Sequence, residues 1–396
     1  MSRQLDHLVH SAIFAALATA IAGCSGSEGQ AQAAAPVPSE RAMSPQLIAE
    51  GQKIFRFDTF GDERQWTDQL RMHEVVQNLK PTDALAVGLK VDVDAVPPDV
   101  LAGADLTNPA TTVALLKLDA VVGIKAMVDE NNVITQLGVT CALCHSTVDN
   151  SARDGIGHRL DGWPNRDLDP GKIIALSPAV PAEAKAVYNS WGPGKYDPRF
   201  NIDGKNTPLV LPPAYGLAHV KNETYTGEAP ISYWNAYVAI TQMGGQGVFV
   251  DPRLGIDIQR TPDMVASKLP ALRAYQLSLE APPPPANSWN ADAAKRGKPL
   301  FAKNCMGCHV GVNGTDNNGG KLHAPEDTGM DGAYAERTTT KAYRTTPLRG
   351  LWQHPPYFHD GKAESLDDVV VHYNDYLRLG LTREQREDLV EYLKTL

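Results

Sequence analysis

Five cysteines occur in 396 residues, and four of them form two Cys-x-x-Cys pairs, Cys141/Cys144 and Cys305/Cys308. Each pair is followed directly by a histidine, His145 and His309. This spacing suits one chemistry well. Two intervening residues let a single helical turn present both thiols to the edge of a porphyrin, where each adds to a vinyl group as a thioether. The adjacent histidine then lies under the ring and ligates iron from the proximal side. The motifs predict two covalently bound haem c groups, held by Cys141, Cys144, Cys305 and Cys308, with His145 and His309 as proximal iron ligands. The competing chemistries are a four-cysteine zinc site and a thiol redox pair. With 11 histidines in the chain, chance would place one after both pairs about once in 1,300. No βαβ pattern of the thioredoxin kind surrounds either pair.

The fifth cysteine closes a different pattern. Residues 8–22, LVHSAIFAALATAIA, are apolar and small, and too short to span a bilayer comfortably. They lead into Ile21-Ala22-Gly23-Cys24, which resembles the lipobox of bacterial lipoproteins. This predicts a leader over 1–23, lipidation at Cys24 and a flexible Gly/Ser/Ala/Gln/Pro tether over 24–44. The protein is then expected in the periplasm, lipid-anchored to the outer membrane. Secretion as a soluble protein, after a plain cut near Ala33-Ala34-Ala35, is the alternative. A formal net charge of −9 and a pI near 5.7 argue against nucleic acid or an anionic membrane surface as main partner. Membrane contact is left to the N-terminal anchor. A small redox protein, as electron donor or acceptor, is compatible with this balance.

The elements that must position the motifs read as mainly α: two cytochrome c-like haem domains, with long loop insertions in the first. Ser44 caps a helix in SPQLIAEGQKIF, with Leu47, Ile48, Ile54 and Phe55 on one face. Leu115–Val128 reads as a second helix, just before the first motif. Residues 150–262 have weak periodicity and many Gly, Pro, Asn and Asp, the mark of functional loops. Thr261–Leu279 reads as a helix kinked at Pro270. The run APPPPA, 281–286, cannot continue a helix, so 281–288 is taken as a linker between a first domain, 45–280, and a second, 289–396. In the second, NADAAKRGKPLF is a helix leading into the motif. Ser365 with Asp368, and Thr382 with Gln385, are capping boxes. Leu389, Val390, Leu393 and Leu396 form the buried stripe of the last helix.

Residues 344–375 carry three further pieces: Thr345-Thr346-Pro347-Leu348-Arg349, then Pro356-Tyr357-Phe358-His359-Asp360-Gly361, then SLDDVVVHY. Together they resemble the C-terminal domain of the bacterial di-haem cytochrome c peroxidases and the related MauG enzymes. The resemblance covers about the last hundred residues. It implies that the residue fourteen places after His359 is the distal ligand of the second haem, Met in the peroxidases and Tyr in MauG. That residue is Tyr373. His372, one step round the same helix, is its rival, and Met330 a third option. His359 is taken as structural. The resemblance also implies one tryptophan between the haems, with Trp352 the first choice, and leaves room for calcium between the domains, held partly by backbone oxygens near His354 and Pro356. The first half is looser: WGPGKYDPRF and KLPALRAYQLSL look more like the secreted di-haem rubber oxygenases of the same superfamily. For the first haem, His158 is the nearest downstream candidate distal ligand. No Met lies within 90 residues after His145, which suggests an open iron.

The expected activity is that of an exported di-haem c-type cytochrome acting as an oxidoreductase. Peroxidase-like reduction of hydrogen peroxide is the leading form, with dioxygen the other oxidant that an open iron could meet. The alternatives are a non-catalytic electron-transfer cytochrome, and a MauG-like or oxygenase-like oxidation of an organic or protein substrate. A catalytic acid–base residue cannot be singled out among the many loop carboxylates.

Overall fold

Ser44 sets the first helix. Its side chain accepts a hydrogen bond from the Leu47 N–H at 3.1 Å, and Pro45 opens α1, Pro45–Phe57. The structure, a computed structural model, describes residues 43–396; the leader, Cys24 and the tether up to residue 42 lie outside the described residues.

The stretch Leu115–Val128 is not one helix. Helix α2, Pro109–Lys117, is capped by Asn108 and stops there. The chain turns through Asp119 and Gly123, both at positive φ, and continues as strand β1, Ile124–Val128, antiparallel to β2, Ile134–Val139. The β-branched run Val121, Val122, Ile124, Val128 favours a pleated surface over a helix. The first motif therefore follows a strand: Thr140 leads directly from β2 into the short turn α3, Ala142–His145.

Residues 150–262 hold short helical turns and small two-stranded ladders. The longest-lasting piece is α4, Ile231–Tyr237, which runs on as a π-helical turn over Val238–Gln242. Pro270 does not kink a helix. It lies in the first turn of α5, Leu269–Ser278, where its missing N–H would have had no partner. A 3₁₀ turn, Ala266–Lys268, precedes it. Residues 279–290 have no helix or strand. Helix α6, Ala291–Asn304, is capped by Asn290 and ends on Cys305. Both C-terminal helices, α7 (Leu366–Tyr376) and α8 (Arg383–Leu393), start on the capping boxes Ser365/Asp368 and Thr382/Gln385.

Two apolar cores result. One gathers Phe55, Leu116, Ile134, Leu143, Trp234, Ile240 and Leu272 among others. The other gathers Phe301, Leu351, Leu366, Val370, Leu389 and Leu393. Each is built on one helix crossing, and the two crossings use the same residues. In the first, Gly51 of α1 meets α5: a Cβ at Gly51 would lie 1.9 Å from the carbonyl oxygen of Ala271. In the second, Gly297 of α6 meets α8, where a Cβ would lie 2.0 Å from that of Asp388. Four residues after each glycine stands a buried phenylalanine, Phe55 or Phe301, and each touches a tyrosine of the partner helix. The ring centroids are 5.5 Å apart for Phe55–Tyr275 and 5.2 Å for Phe301–Tyr392. Each tyrosine follows a buried leucine by three residues, Leu272 or Leu389. Gly-x-x-x-Phe crossed by Leu-x-x-Tyr is thus an internal repeat. Among the described residues no helix is long and apolar enough to cross a membrane.

Candidate functional site

Both Cys-x-x-Cys-His segments adopt one local form. The His145 N–H bonds the Cys141 carbonyl at 3.2 Å, and the His309 N–H bonds the Cys305 carbonyl at 3.0 Å. A single turn thus carries both thiols and the imidazole. Each ring is then oriented through Nδ1, to the Pro212 carbonyl for His145 (3.1 Å) and to the Gly314 carbonyl for His309 (2.9 Å). A donor bond at Nδ1 fixes the tautomer and leaves Nε2 as the ligating nitrogen. Burial drives the His145 imidazole down to about 4 and holds His309 below its ordinary value, so both are neutral, as iron ligation requires. The four thiols are unpaired, and burial raises those of Cys141 and Cys144 to about 12. These residues fit covalent haem c. A cluster of Cys308, Asp316 and His323 could also hold a metal ion, but Cys308 belongs to the motif, and His323 Nε2 and Lys321 Nζ already face Asp316 at 3.0 and 3.4 Å.

Asp161 ties the first motif to its helix crossing. It accepts from Ser146 Oγ (2.7 Å), directly after His145, from Arg56 Nε of α1 (2.5 Å) and from the Tyr275 hydroxyl of α5 (2.5 Å). Sequence reasoning passed over it because an aspartate in a loop carries no signal until its three partners converge.

The two candidates on α7 diverge. His372 Nε2 is 2.8 Å from the Thr328 carbonyl, and its ring packs on Tyr376 and Phe358. Tyr373 instead lies within electrostatic reach of the Cys305 and Cys308 thiols, and burial raises its phenol to about 12. Its hydroxyl has no hydrogen-bond partner among the described residues. His359 is buried, stacked on Tyr343 and 3.1 Å from the Tyr343 hydroxyl through Nε2. Met330 lines an open depression with Tyr376, Glu326 and Lys341. In the first half, His158 is turned to solvent: its side chain is 58% exposed, with Nδ1 on Asp94 at 2.9 Å. Another polar pair near the first motif is one sequence reasoning missed. Tyr196 lies within electrostatic reach of Cys144, and its hydroxyl donates to Gln242 Oε1 at 2.9 Å. Gln242 ends the π-helical turn, a geometry enriched at functional sites.

Trp352 is not alone. It packs edge to face on Trp163, with centroids 5.5 Å apart, and its Nε1 faces the Pro282 carbonyl at 3.4 Å. Trp163 belongs to the segment that folds back on the first motif, through Gly162 N–H to the His145 carbonyl (2.8 Å) and Asn165 N–H to the Cys144 carbonyl (2.9 Å). Trp352 lies close in sequence to Thr346, whose backbone bonds His309. The pair thus joins the segment bonded to the first motif to the 351–353 turn of the second half. The His354 carbonyl accepts from Arg166 Nη2 (3.2 Å), while Nη1 donates to the Leu211 carbonyl (2.6 Å). The Arg166 guanidinium thus occupies the His354 carbonyl, one of the backbone oxygens near which calcium was expected.

A cytochrome c family model matches residues 294–396. Over 151 residues the chain is 27% identical to the methylamine utilization protein MauG of Methylophilus methylotrophus, covering 32% of this chain and 45% of that one. It is 32% identical over 152 residues to MauG of Methylorubrum extorquens, covering 32% and 42%. It is 28% identical over 235 residues to the hydrazine synthase gamma subunit of Kuenenia stuttgartiensis, covering 48% and 64%. The chain thus spans less than half the length of these two MauG proteins. Among solved structures, hydrazine synthase of Kuenenia stuttgartiensis under xenon has a TM-score of 0.34 at 22% identity, covering 48% of this chain and 73% of that one. A MauG-like protein associated with microbial copper homeostasis has a TM-score of 0.35 at 19% identity, covering 48% and 74%.

Proposed function

We propose that the chain is a member of the di-haem cytochrome c peroxidase and MauG superfamily, as the C-terminal cytochrome c match and the likeness to MauG support, that both of its motifs carry covalent haem c, and that it is a peroxidase-like redox enzyme. The observation that carries the two-haem reading is the repeated crossing of Gly-x-x-x-Phe on Leu-x-x-Tyr, each copy supporting one Cys-x-x-Cys-His. Bound haem supplies an iron that changes oxidation state.

The chain's own residues set the division of labour. At the second motif Tyr373, within electrostatic reach of the Cys305 and Cys308 thiols, is the residue that would serve as the distal ligand of a bound haem. At the first, Tyr196 and Gln242 offer a hydroxyl and an amide, which hold hydrogen peroxide by hydrogen bonds rather than filling the site with a strong ligand. Trp163 and Trp352 shorten the gap between the two motifs for electrons. Reduction of hydrogen peroxide to two waters takes two electrons and two protons, and a small redox protein supplies the electrons. The same reading puts the protein in the periplasm, anchored to the outer membrane through lipidated Cys24, with soluble secretion the alternative.

Tyr373 specifically favours a second reading, MauG-like oxidation of an organic or protein substrate, because a phenolate ligand stabilises high iron oxidation states. One set of measurements on the purified protein decides. Intact mass should show two added haems. EPR should show one high-spin and one low-spin ferric haem, and peroxide should be turned over with a reduced small cytochrome. Two low-spin haems that stay so after half-reduction, with no turnover, would make the protein an electron carrier instead.

A further inference from the structure

Arg166 is a buried cation without an acid. Its Nη1 and Nη2 donate to the carbonyls of Leu211 and His354, while its Nε is buried with no partner. Four other interior arginines face carboxylates: Arg159 with Asp92, Arg199 with Glu228, Arg337 with Asp197 and Asp203, Arg344 with Glu223. Its ionisable neighbours are the phenols of Tyr225, Tyr215 and Tyr357 and the imidazoles of His145 and His354, none of them a carboxylate. Two of its neighbours are orphaned in the same way. The Tyr215 hydroxyl and His354 Nε2 are both buried without partners, on rings whose centroids are 6.3 Å apart. An uncompensated buried charge beside an unmet hydroxyl donor is costly, and the partner that would satisfy both is an anion with two acceptor oxygens.

We infer that Arg166 and Tyr215 together receive a carboxylate, a propionate of the haem held by Cys141, Cys144 and His145. This rests on the reading that the first motif carries haem. A porphyrin anchored there brings two carboxylates with it, and Arg166 belongs to the segment bonded to the backbone of Cys144 and His145. Arg166 is then a positioning residue. It neutralises a negative charge near the iron, which disfavours the ferric state relative to an unneutralised propionate, and it links the first haem to the His354 segment of the other half.

The test uses the full-length holoprotein. Haem is counted by the pyridine haemochrome assay, and both potentials are measured by redox titration in Arg166→Gln, Arg166→Lys and Tyr215→Phe. Arg166→Gln should keep two haems and lower one of the two potentials by about 59 mV, a tenfold change in the one-electron equilibrium constant. Arg166→Lys should restore most of that shift, and Tyr215→Phe should move the same potential in the same direction by less. Should Arg166→Gln not accumulate, the Tyr215→Phe shift decides alone. Two haems with unmoved potentials overturn the inference. A shift that appears only when chloride replaces a bulky anion at constant ionic strength assigns the site to a free anion and also overturns it. A single haem, held by the second motif, sinks the parent reading instead, and the haem count tells the cases apart.

Discussion

Tyr373 and His372 are adjacent, yet their surroundings assign them different work. His372 is held by the Thr328 carbonyl at 2.8 Å, whereas Tyr373 has no such bond among the described residues and lies within electrostatic reach of the thiols of the second motif. Tyr373→Phe should therefore change the ferric absorption and EPR of one haem, while His372→Gln should leave both spectra as they are and cost about 0.5–1.5 kcal/mol for one lost hydrogen bond. A reversed pattern would make His372 the ligand. The sequence placed both residues on the right helix but could not separate them, because the deciding partner, Thr328, is 44 residues away in a loop. Asp62 gives a pH-dependent prediction at the same scale. It is fully buried, and burial raises its carboxyl to about 9 despite two long bonds from the Val139 N–H (3.2 and 3.3 Å). The folded chain keeps this proton, while the unfolded chain loses it above about pH 4. The stability contributed by the retained proton is therefore full below about pH 4 and is lost as pH rises to about 9. Asp62→Asn has no proton to lose. Its stability relative to the wild type should rise steadily across that window, by up to about 1.4 kcal/mol per pH unit, and stay level outside it, in denaturant unfolding followed at several pH values.

At the scale of elements, the helix crossings were legible in part. The capping residues Ser44, Ser365 and Thr382 read correctly because a cap is a local signal. Gly51–Phe55 and Gly297–Phe301 were also in plain view, as GQKIF and GKPLF, with LRAY and LVEY as their partners. The repeat is hard to see because its spacing to the motifs is so different: three residues separate Phe301 from Cys305 of the second motif, whereas α2, β1 and β2 lie between Phe55 and the first. The Leu115–Val128 error has the same origin. Apolar content alone does not distinguish a short buried strand pair from a helix. The close approach makes the glycines testable. Gly51→Ala or Gly297→Ala sets a methyl within 2.0 Å of a backbone carbonyl on the opposing helix, and the helices must part. Each should cost about 2–3 kcal/mol, measured by denaturant unfolding. A neutral result at either position would mean that the crossing is looser than described and that the repeat does not mark two equivalent units.

At the scale of the whole molecule, the Pro-rich stretch 281–286 reads as a separator, but the chain on either side of it is bound together by arginines. Arg349 donates to the Gly216 carbonyl at 2.7 Å, and Arg344 faces Glu223 at 3.2 Å. Arg166 bridges Leu211 and His354. Because a guanidinium does there what a divalent cation would otherwise do, excess EGTA should leave the thermal midpoint of the holoprotein unchanged, and a drop of several degrees would show a calcium site elsewhere. None of these long-range pairs could be read from the sequence, since a charged side chain shows no sign of its partner until the fold brings the two together. The strongest of them is Arg337. Its side chain is 1% exposed, and it makes paired bonds to Asp197, which is fully buried (2.8 and 3.0 Å), and to Asp203 (2.8 and 2.8 Å). A buried ion pair recovers little net stability over an apolar pair of the same shape, but removing one partner strands the other charge in the interior. Arg337→Met should therefore cost about 3–5 kcal/mol, because Asp197 is left without its cation. The double variant Arg337→Met with Asp197→Asn should recover part of that loss, as it removes the stranded charge while keeping an acceptor for the backbone N–H groups of Arg199 and Thr207 that bond Asp197. If the double variant is as unstable as the single one, the clamp stabilises through its hydrogen-bond geometry rather than by charge compensation, and the two halves are held together by the shape of this contact.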